Sequence, residues 1–419
     1  MLTLFQELKW RNLIKDCSDE KKLEELLNSE KINFYCGFDP TADSLTIGHL
    51  IQINTILLFL KHNHFPFILI GNGTALIGDP KEKEERTLIS QEEIFKNSKC
   101  IQKQLMNVLF NQKFQFVDNY NWISKMDFIS FFRFYGKLFN VNYMISKEIV
   151  SKRLKNGISY TEFSYMLLQA LDFYKLYKDF NVILQFGGSD QWGNITSGLE
   201  LIRKINFSIE NSQKKPFGFS IPLILDDKGV KIGKSEKNSL WLDRKLSSPY
   251  QMHQYFINVK DANVIDYLKK MTLLKPENII FLEKETKKNP KKRLAQKELA
   301  NAIVAFVHGE KELKKCLEIN KILFIKNIKQ LNLEDFVFLA QNINFLKTNK
   351  SVLIIDVLVK TGLAISNNDA KRLIYSKTIK IMGDFVPEIN FILKSQNALY
   401  GKYFLLTKKN KIHVLVIFE

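Results

Sequence analysis

Cysteine is scarce in this chain. Its 419 residues include four, Cys17, Cys36, Cys100 and Cys316, scattered and with no CxxC spacing. That argues against a zinc site or a disulfide framework. Long apolar runs are missing too. None approaches the roughly 20 residues needed to span a bilayer, so no membrane partner is expected. The segment Met1 to Cys17 mixes Leu2, Leu4, Phe5 and Leu8 with Glu7, Lys9 and Arg11. No small-residue cleavage site follows an apolar core, so it reads as an amphipathic helix and not as a secretory signal. The cytoplasm is the expected compartment. There is no internal repeat and no low-complexity linker. Acidic residues are outnumbered, and the formal net charge is +18. Such an excess suits a polyanion such as RNA. Lysine, Asn, Ile and Phe are all abundant, however, as an AT-rich coding sequence would produce, so charge alone does not establish nucleic-acid binding.

The length allows two or three domains with a full core. The order of elements predicts an α/β fold, a parallel sheet with helices on both faces. Ile32 to Gly37 reads as a short apolar strand, and Leu50, Ile53, Ile56, Leu57 and Leu60 give the next segment a near-helical period. Phe67 to Ile70 is a second strand and runs into Gly71-Asn72-Gly73-Thr74 and Gly78-Asp79-Pro80. Ser90 with Glu93 predicts a capped helix start, Phe114 to Val117 a third strand, and Val182 to Phe186 a fourth. Between the last two lies an aromatic cluster from Tyr120 to Glu148, with Trp122, Phe128, Phe131, Phe132, Phe134, Tyr135, Phe139 and Tyr143. It suits either a local core or a subunit interface, where aromatics are enriched. Beyond Ser247 the pattern turns helical and lysine-rich to about Cys316. Lys321 to Lys350 carries no clear fold signal. From Ser351 two short helices precede strand-like Thr378 to Met382 and a hairpin of Tyr403 to Leu406 with Ile412 to Ile417.

Three motifs carry chemistry. In Tyr35-Cys36-Gly37-Phe38-Asp39-Pro40-Thr41-Ala42-Asp43-Ser44-Leu45-Thr46-Ile47-Gly48-His49, a strand ends in a turn and enters a helix at a Gly-His pair. That arrangement aims backbone N–H groups and a positive dipole end at a phosphate. Gln185-Phe186-Gly187-Gly188-Ser189-Asp190-Gln191-Trp192-Gly193-Asn194 places a carboxylate, Asp190, beyond a strand's end, where it either caps a helix or accepts from ribose hydroxyls. Lys231-Ile232-Gly233-Lys234-Ser235 is a short loop with two lysines, suited to clamping a polyphosphate. On the helix Thr161 to Tyr177, Tyr165, Gln169 and Asp172 share one face. On spacing alone that polar stripe reads as water-facing.

The first and last motifs together resemble the two nucleotide motifs of the class I aminoacyl-tRNA synthetases, and their wording resembles the bacterial tyrosyl-tRNA synthetase family. The resemblance covers nearly the whole chain. It implies a doubly wound, Rossmann-like nucleotide-binding domain over 1–225, with a dimerisation insertion at about 120–150. A KMSKS-type loop would follow at 226–240, then a helical anticodon-side domain at 241–330 and a small α+β S4-like RNA-binding domain at 351–419. It also implies the activity, in which tyrosine and ATP give tyrosyl-adenylate and the aminoacyl group passes to the 3′ end of tRNA. The partners implied are L-tyrosine, ATP with Mg²⁺, the tRNA and a second copy of the chain as a homodimer. No dedicated protein metal cage and no tightly bound cofactor are implied.

By the same resemblance, Tyr165, Gln169 and Asp79 would hold the substrate ammonium, and Asp172 and Tyr35 its phenol. Gln185 and Gln191 would surround its carboxylate. Cys36, His49 and Asp190 would contact the ribose, with Gly37, Asp39 and Gly48 along the nucleotide path. Thr41, Thr46, Lys231 and Lys234 would address the leaving pyrophosphate, and Arg86, Lys371 and Arg372 the tRNA. Two departures stand out. Position 46 is Thr where the family has the first histidine of its HIGH motif, and the stretch after Asp79 is one residue short and acidic. Two rival readings are a tryptophanyl-tRNA synthetase, disfavoured by Asp172, Tyr35 and the tail, and a weakened relic that only binds RNA.

Overall fold

β-branched and aromatic strands alternate with amphipathic helices to build the first of two compact units, Met1–Asp243 with Ile265–Phe281. The computed structural model describes residues 2–80, 86–154, 157–207, 214–224, 240–324, 328, 331–409 and 411–419. In the first unit, β1 (Asp16–Cys17), β2 (Asn33–Phe38), β3 (Phe65–Ile70), β4 (Gln115–Asp118), β5 (Val182–Gly188) and β6 (Phe217–Ile221) form one sheet in the order β1-β6-β5-β2-β3-β4. All neighbours are parallel except β1, which pairs antiparallel with β6 at the edge. The chain leaves β2 toward β3 on one side, and β5 flanks β2 on the other. Such a reversal of order opens a crevice at the strands' carboxyl ends.

Burial on both faces explains the near-continuous apolar strands. Phe34, Tyr35 and Cys36 of β2 are buried, as is every residue of β5 up to Gly187. Helix Leu50–Lys61 follows the Gly48-His49 pair, and helix Gln91–Val108 begins where Ser90 accepts the Glu93 N–H. Helix Tyr160–Phe180 is capped by Ser159 and ends at Asn181 in the left-handed region, φ 53°. The amphipathic segment at the start is shorter than expected. Its helix covers Leu4–Trp10, and Asp16–Cys17 turns into the edge strand.

The second unit is Arg244–Val264 with Leu282–Glu419. Helices Pro249–Ile257, Leu294–His308 and Glu310–Phe324 supply its first part. The expected helical domain at 241–330 is therefore not one piece, since Ile265–Phe281 groups with the sheet unit. The reason is Arg11. Its fully buried guanidinium donates to the carbonyls of Lys269, Thr272 and Leu274 at 2.7–3.0 Å and pairs with Glu7 at 2.8 Å.

The tail begins earlier than Ser351. β7 (Phe345–Thr348) lies parallel to the strand Ile412–Phe418, and Phe336 of helix Leu333–Asn342 stacks on Tyr403 at 5.2 Å. After β8 (Val352–Leu353) and helices Ile354–Lys360 and Asn367–Tyr375 come β9 (Ile379–Ile381), β10 (Asp384–Phe385), β11 (Ile392–Leu393), β12 (Tyr403–Lys408) and β13 (Ile412–Phe418). The sheet order is β10-β9-β12-β13-β7, and β8 pairs separately with β11. The expected hairpin is present as β12 and β13. Its core includes Ile354, Leu358, Leu373, Leu406, Val414 and Val416.

Candidate active site

The Tyr165-Gln169-Asp172 stripe faces inward. Tyr165 and Asp172 are 4% and 1% exposed, and Gln169 is half-buried. Spacing suggested water, but distant segments supply the polar partners that make burial tolerable. Tyr165 donates its hydroxyl to Asp39 Oδ2 at 2.7 Å. Asp172 accepts from Asn119 Nδ2 at 2.9 Å and from Trp122 Nε1 at 2.8 Å. Asp39 also accepts from the Thr74 hydroxyl at 2.9 Å, and Thr74 accepts from Asn119 Nδ2 at the same distance. A continuous chain of hydrogen bonds thus runs from Tyr165 through Asp39, Thr74 and Asn119 to Asp172.

Asp79 follows Gly78, whose φ is +85°, a conformation that needs glycine. Gln191 Nε2 donates to its carboxylate at 2.8 Å, and Asn194 Nδ2 at 3.3 Å. The two carboxylates differ in acidity. Burial raises Asp79 to about 6, partly offset by the Gln191 bond. It raises Asp172 to about 8 against the pull of the Asn119 and Trp122 bonds. Burial likewise raises Asp39, and the Tyr165 and Thr74 bonds oppose it.

The buried polar atoms without a hydrogen-bond partner among the described residues include the Tyr35 hydroxyl and the Oε1 atoms of Gln169 and Gln185. The Tyr35 ring packs on Phe173 at 5.4 Å, and burial raises the pKa of its hydroxyl, with Asp172 nearby adding to the rise. Gln185, in the middle of β5, pairs with Tyr35 on β2. Buried orphans of this kind mark places where a ligand's polar groups complete the set.

At the nucleotide motif, Gly37 is exposed and Cys36 buried, with Gln52 Nε2 3.6 Å from the Cys36 sulfur. Burial pushes the Cys36 thiol far up, so it is a neutral donor. Thr41 is exposed on the turn after Asp39. The Thr46 N–H donates to His49 Nδ1 at 3.0 Å, with the Thr46 hydroxyl 3.1 Å from the same nitrogen. Gly48 and His49 are half-buried at the start of helix Leu50–Lys61, and Asp190 lies in the turn after β5. Arg86 folds back, its Nε donating to the Asp79 carbonyl. In the second unit, Lys371 and Arg372 are exposed on helix Asn367–Tyr375, with Arg372 paired to Asp369 at 2.6 Å. Lys231 and Lys234 lie outside the described residues, as does 81–85.

Sequence reasoning assigned no role to Asn119, Thr74 or Asn194, and it read Trp122 only as part of the aromatic cluster. Asn119 directly follows β4, so a strand-end Asp-Asn pair at a crevice was the available signal. No group of three or more potential metal ligands occurs among the described residues.

The sequence matches the family described as tRNA synthetases class I (W and Y) over residues 27–324, and a tyrosine–tRNA ligase C-terminal domain over 335–416. A tyrosine–tRNA ligase of Aster yellows witches'-broom phytoplasma is 50% identical over the full length of both chains. Tyrosine–tRNA ligase 1 of Bacillus subtilis is 41% identical, again over the full length of both. A solved C-terminally truncated mitochondrial tyrosyl-tRNA synthetase of Aspergillus nidulans superimposes with a TM-score of 0.70 at 26% identity, covering 77% of this chain and 95% of that one. With motifs, fold and full-length likeness in agreement, the chain belongs to the class I aminoacyl-tRNA synthetases and, within them, to the tyrosine–tRNA ligases.

Proposed function

We propose that the orphaned polar atoms between β2, β5 and helix Tyr160–Phe180 receive L-tyrosine. Its phenol meets Tyr35 and Asp172, and its ammonium meets Asp79, Tyr165 and Gln169. Its carboxylate lies between Gln185 and Gln191. The observation that carries this reading is the unpartnered Tyr35 hydroxyl, buried beside an Asp172 already held by two donors. A phenol completes that set, whereas phenylalanine leaves it unpaired at a cost of about 1–3 kcal/mol. ATP enters as its Mg²⁺ complex, a substrate. Its ribose meets Cys36, His49 and Asp190, with Gly37, Asp39 and Gly48 along its path and Thr41, Thr46, Lys231 and Lys234 toward the pyrophosphate.

No enzyme nucleophile is required. The substrate carboxylate attacks the α-phosphate, and the protein contributes orientation and stabilisation of phosphate charge. Lys371 and Arg372 meet tRNA phosphates. The exposed Phe128, Ile129 and Phe134 extend the aromatic insertion as a homodimer surface, while Phe131 packs inward on Met144 and Met166. No helix among the described residues is long and apolar enough to cross a membrane, in keeping with a cytoplasmic enzyme. Tyrosine-dependent ATP–pyrophosphate exchange tests the assignment. Tyr35→Phe and Asp172→Asn should each reduce discrimination between tyrosine and phenylalanine, and unchanged discrimination in both would refute it.

A further inference from the structure

A buried ion pair stands behind Asp79 and takes no part in the roles above. The Glu162 and Arg153 side chains are 2% and 4% exposed, and Arg153 Nη2 lies 2.9 Å from Glu162 Oε2. A buried pair is a weak way to stabilise a fold, so its placement needs another reason. The other carboxylate oxygen, Oε1, accepts the backbone N–H of Arg86 at 2.9 Å. Arg86 in turn donates to the Asp79 carbonyl. Its side chain also covers Gly78 so closely that a Cβ there would lie 2.8 Å from Arg86 Cδ. Glu162 sits one turn before Tyr165 on the same helix, with its own N–H capped by Ser159.

The geometry points to Glu162 as a positioning residue for the substrate ammonium. By holding the Arg86 backbone, it fixes Asp79 against Tyr165 and Gln169 on its own helix. Arg153 neutralises the carboxylate so that it can remain buried. Glu162 touches neither substrate. The inference rests on the assignment of Asp79 to the ammonium.

Two double variants separate the acceptor from the ion pair, and neither leaves an orphaned charge. Arg153→Met with Glu162→Gln retains a carbonyl oxygen for the Arg86 N–H, whereas Arg153→Met with Glu162→Leu removes it. In pyrophosphate exchange, the leucine pair should raise KM for tyrosine about tenfold, the scale of one lost hydrogen bond. Its KM for ATP should be nearly unchanged, and the glutamine pair should behave as wild type. Equal tyrosine KM in the two pairs, whether normal or raised, overturns the inference. Asp79→Asn tests the underlying assignment separately. If it leaves KM for tyrosine unchanged, the ammonium reading fails on its own. Amide exchange in the wild-type chain gives a reading free of any folding defect. The Arg86 N–H should exchange at least tenfold more slowly than an unprotected amide, and exchange at the free rate overturns the proposal.

Discussion

Asp172 and Asp79 are carboxylates in one crevice, the first buried and the second half-buried, both within the field of Asp39, yet their surroundings differ. Asp172 takes its two donors from Asn119 and Trp122, residues that follow β4, and lies near Asp118. Asp79 takes its donors from Gln191 and Asn194 after β5, and Arg86 offsets part of its burial. Burial raises Asp172 to about 8 and Asp79 only to about 6, so Asp172 is the weaker acid of the two. The difference suits the two recognition tasks proposed for them. A cation needs a formal charge opposite it, whereas a phenol needs hydrogen-bond complementarity without a charge. Environment has made two tools from one residue type.

The sharpest way to break this comparison is Asp172→Asn. It disturbs the proposed phenol contact and the Asn119 and Trp122 bonds together, and should lower kcat/KM for tyrosine by roughly 10- to 150-fold. Smaller, and opposite in its pH signature, is Asp79→Asn. In the wild type, kcat/KM for tyrosine should climb as pH rises through about 6, because ionised Asp79 attracts the ammonium. The asparagine variant should lose roughly tenfold at neutral pH together with that rising limb. Retention of the limb would assign it to another group.

Stability sharpens the contrast. The folded-state pKa of Asp172 lies above the ordinary value near 3.9, so between about pH 4 and 8 the folded protein binds the extra proton. Stability from this group is present at low pH and lost as pH rises through that window. Melting curves of Asp172→Asn should accordingly show a weaker loss toward pH 8. Tyr35→Phe, by contrast, should leave Tm unchanged or slightly raised, because the hydroxyl it removes has no hydrogen-bond partner among the described residues. The least effect belongs to Thr46→His. Thr46 already meets His49 through its backbone N–H, and the added imidazole should speed single-turnover activation by about fivefold or less, with tyrosine affinity unchanged.

The sheet and its glycine turns were legible because their signals are local. Periodicity locates β2, β3 and β5, and Gly-His or Gly-Gly pairs locate the turns at their ends. The inward face of Tyr165, Gln169 and Asp172 was not legible from spacing, and only the family resemblance implied it. A polar stripe at helical spacing is indistinguishable from a solvated one until its partners are known, and those partners, Asp39, Asn119 and Trp122, lie 50 to 126 positions away. The same limit hid β7. Phe345–Thr348 alternates too weakly to announce a strand, and it becomes one only by pairing with β13.

β13 has a consequence of a different kind. It is flanked by β12 on one side and β7 on the other, and residues His413 to Phe418 are all buried. Loss of Ile412–Phe418 would deprive two strands of their neighbour and open the core that holds Leu406 and Leu358. In the gene, the closing codons of this unit should tolerate missense changes between Val, Ile and Leu, but not truncation.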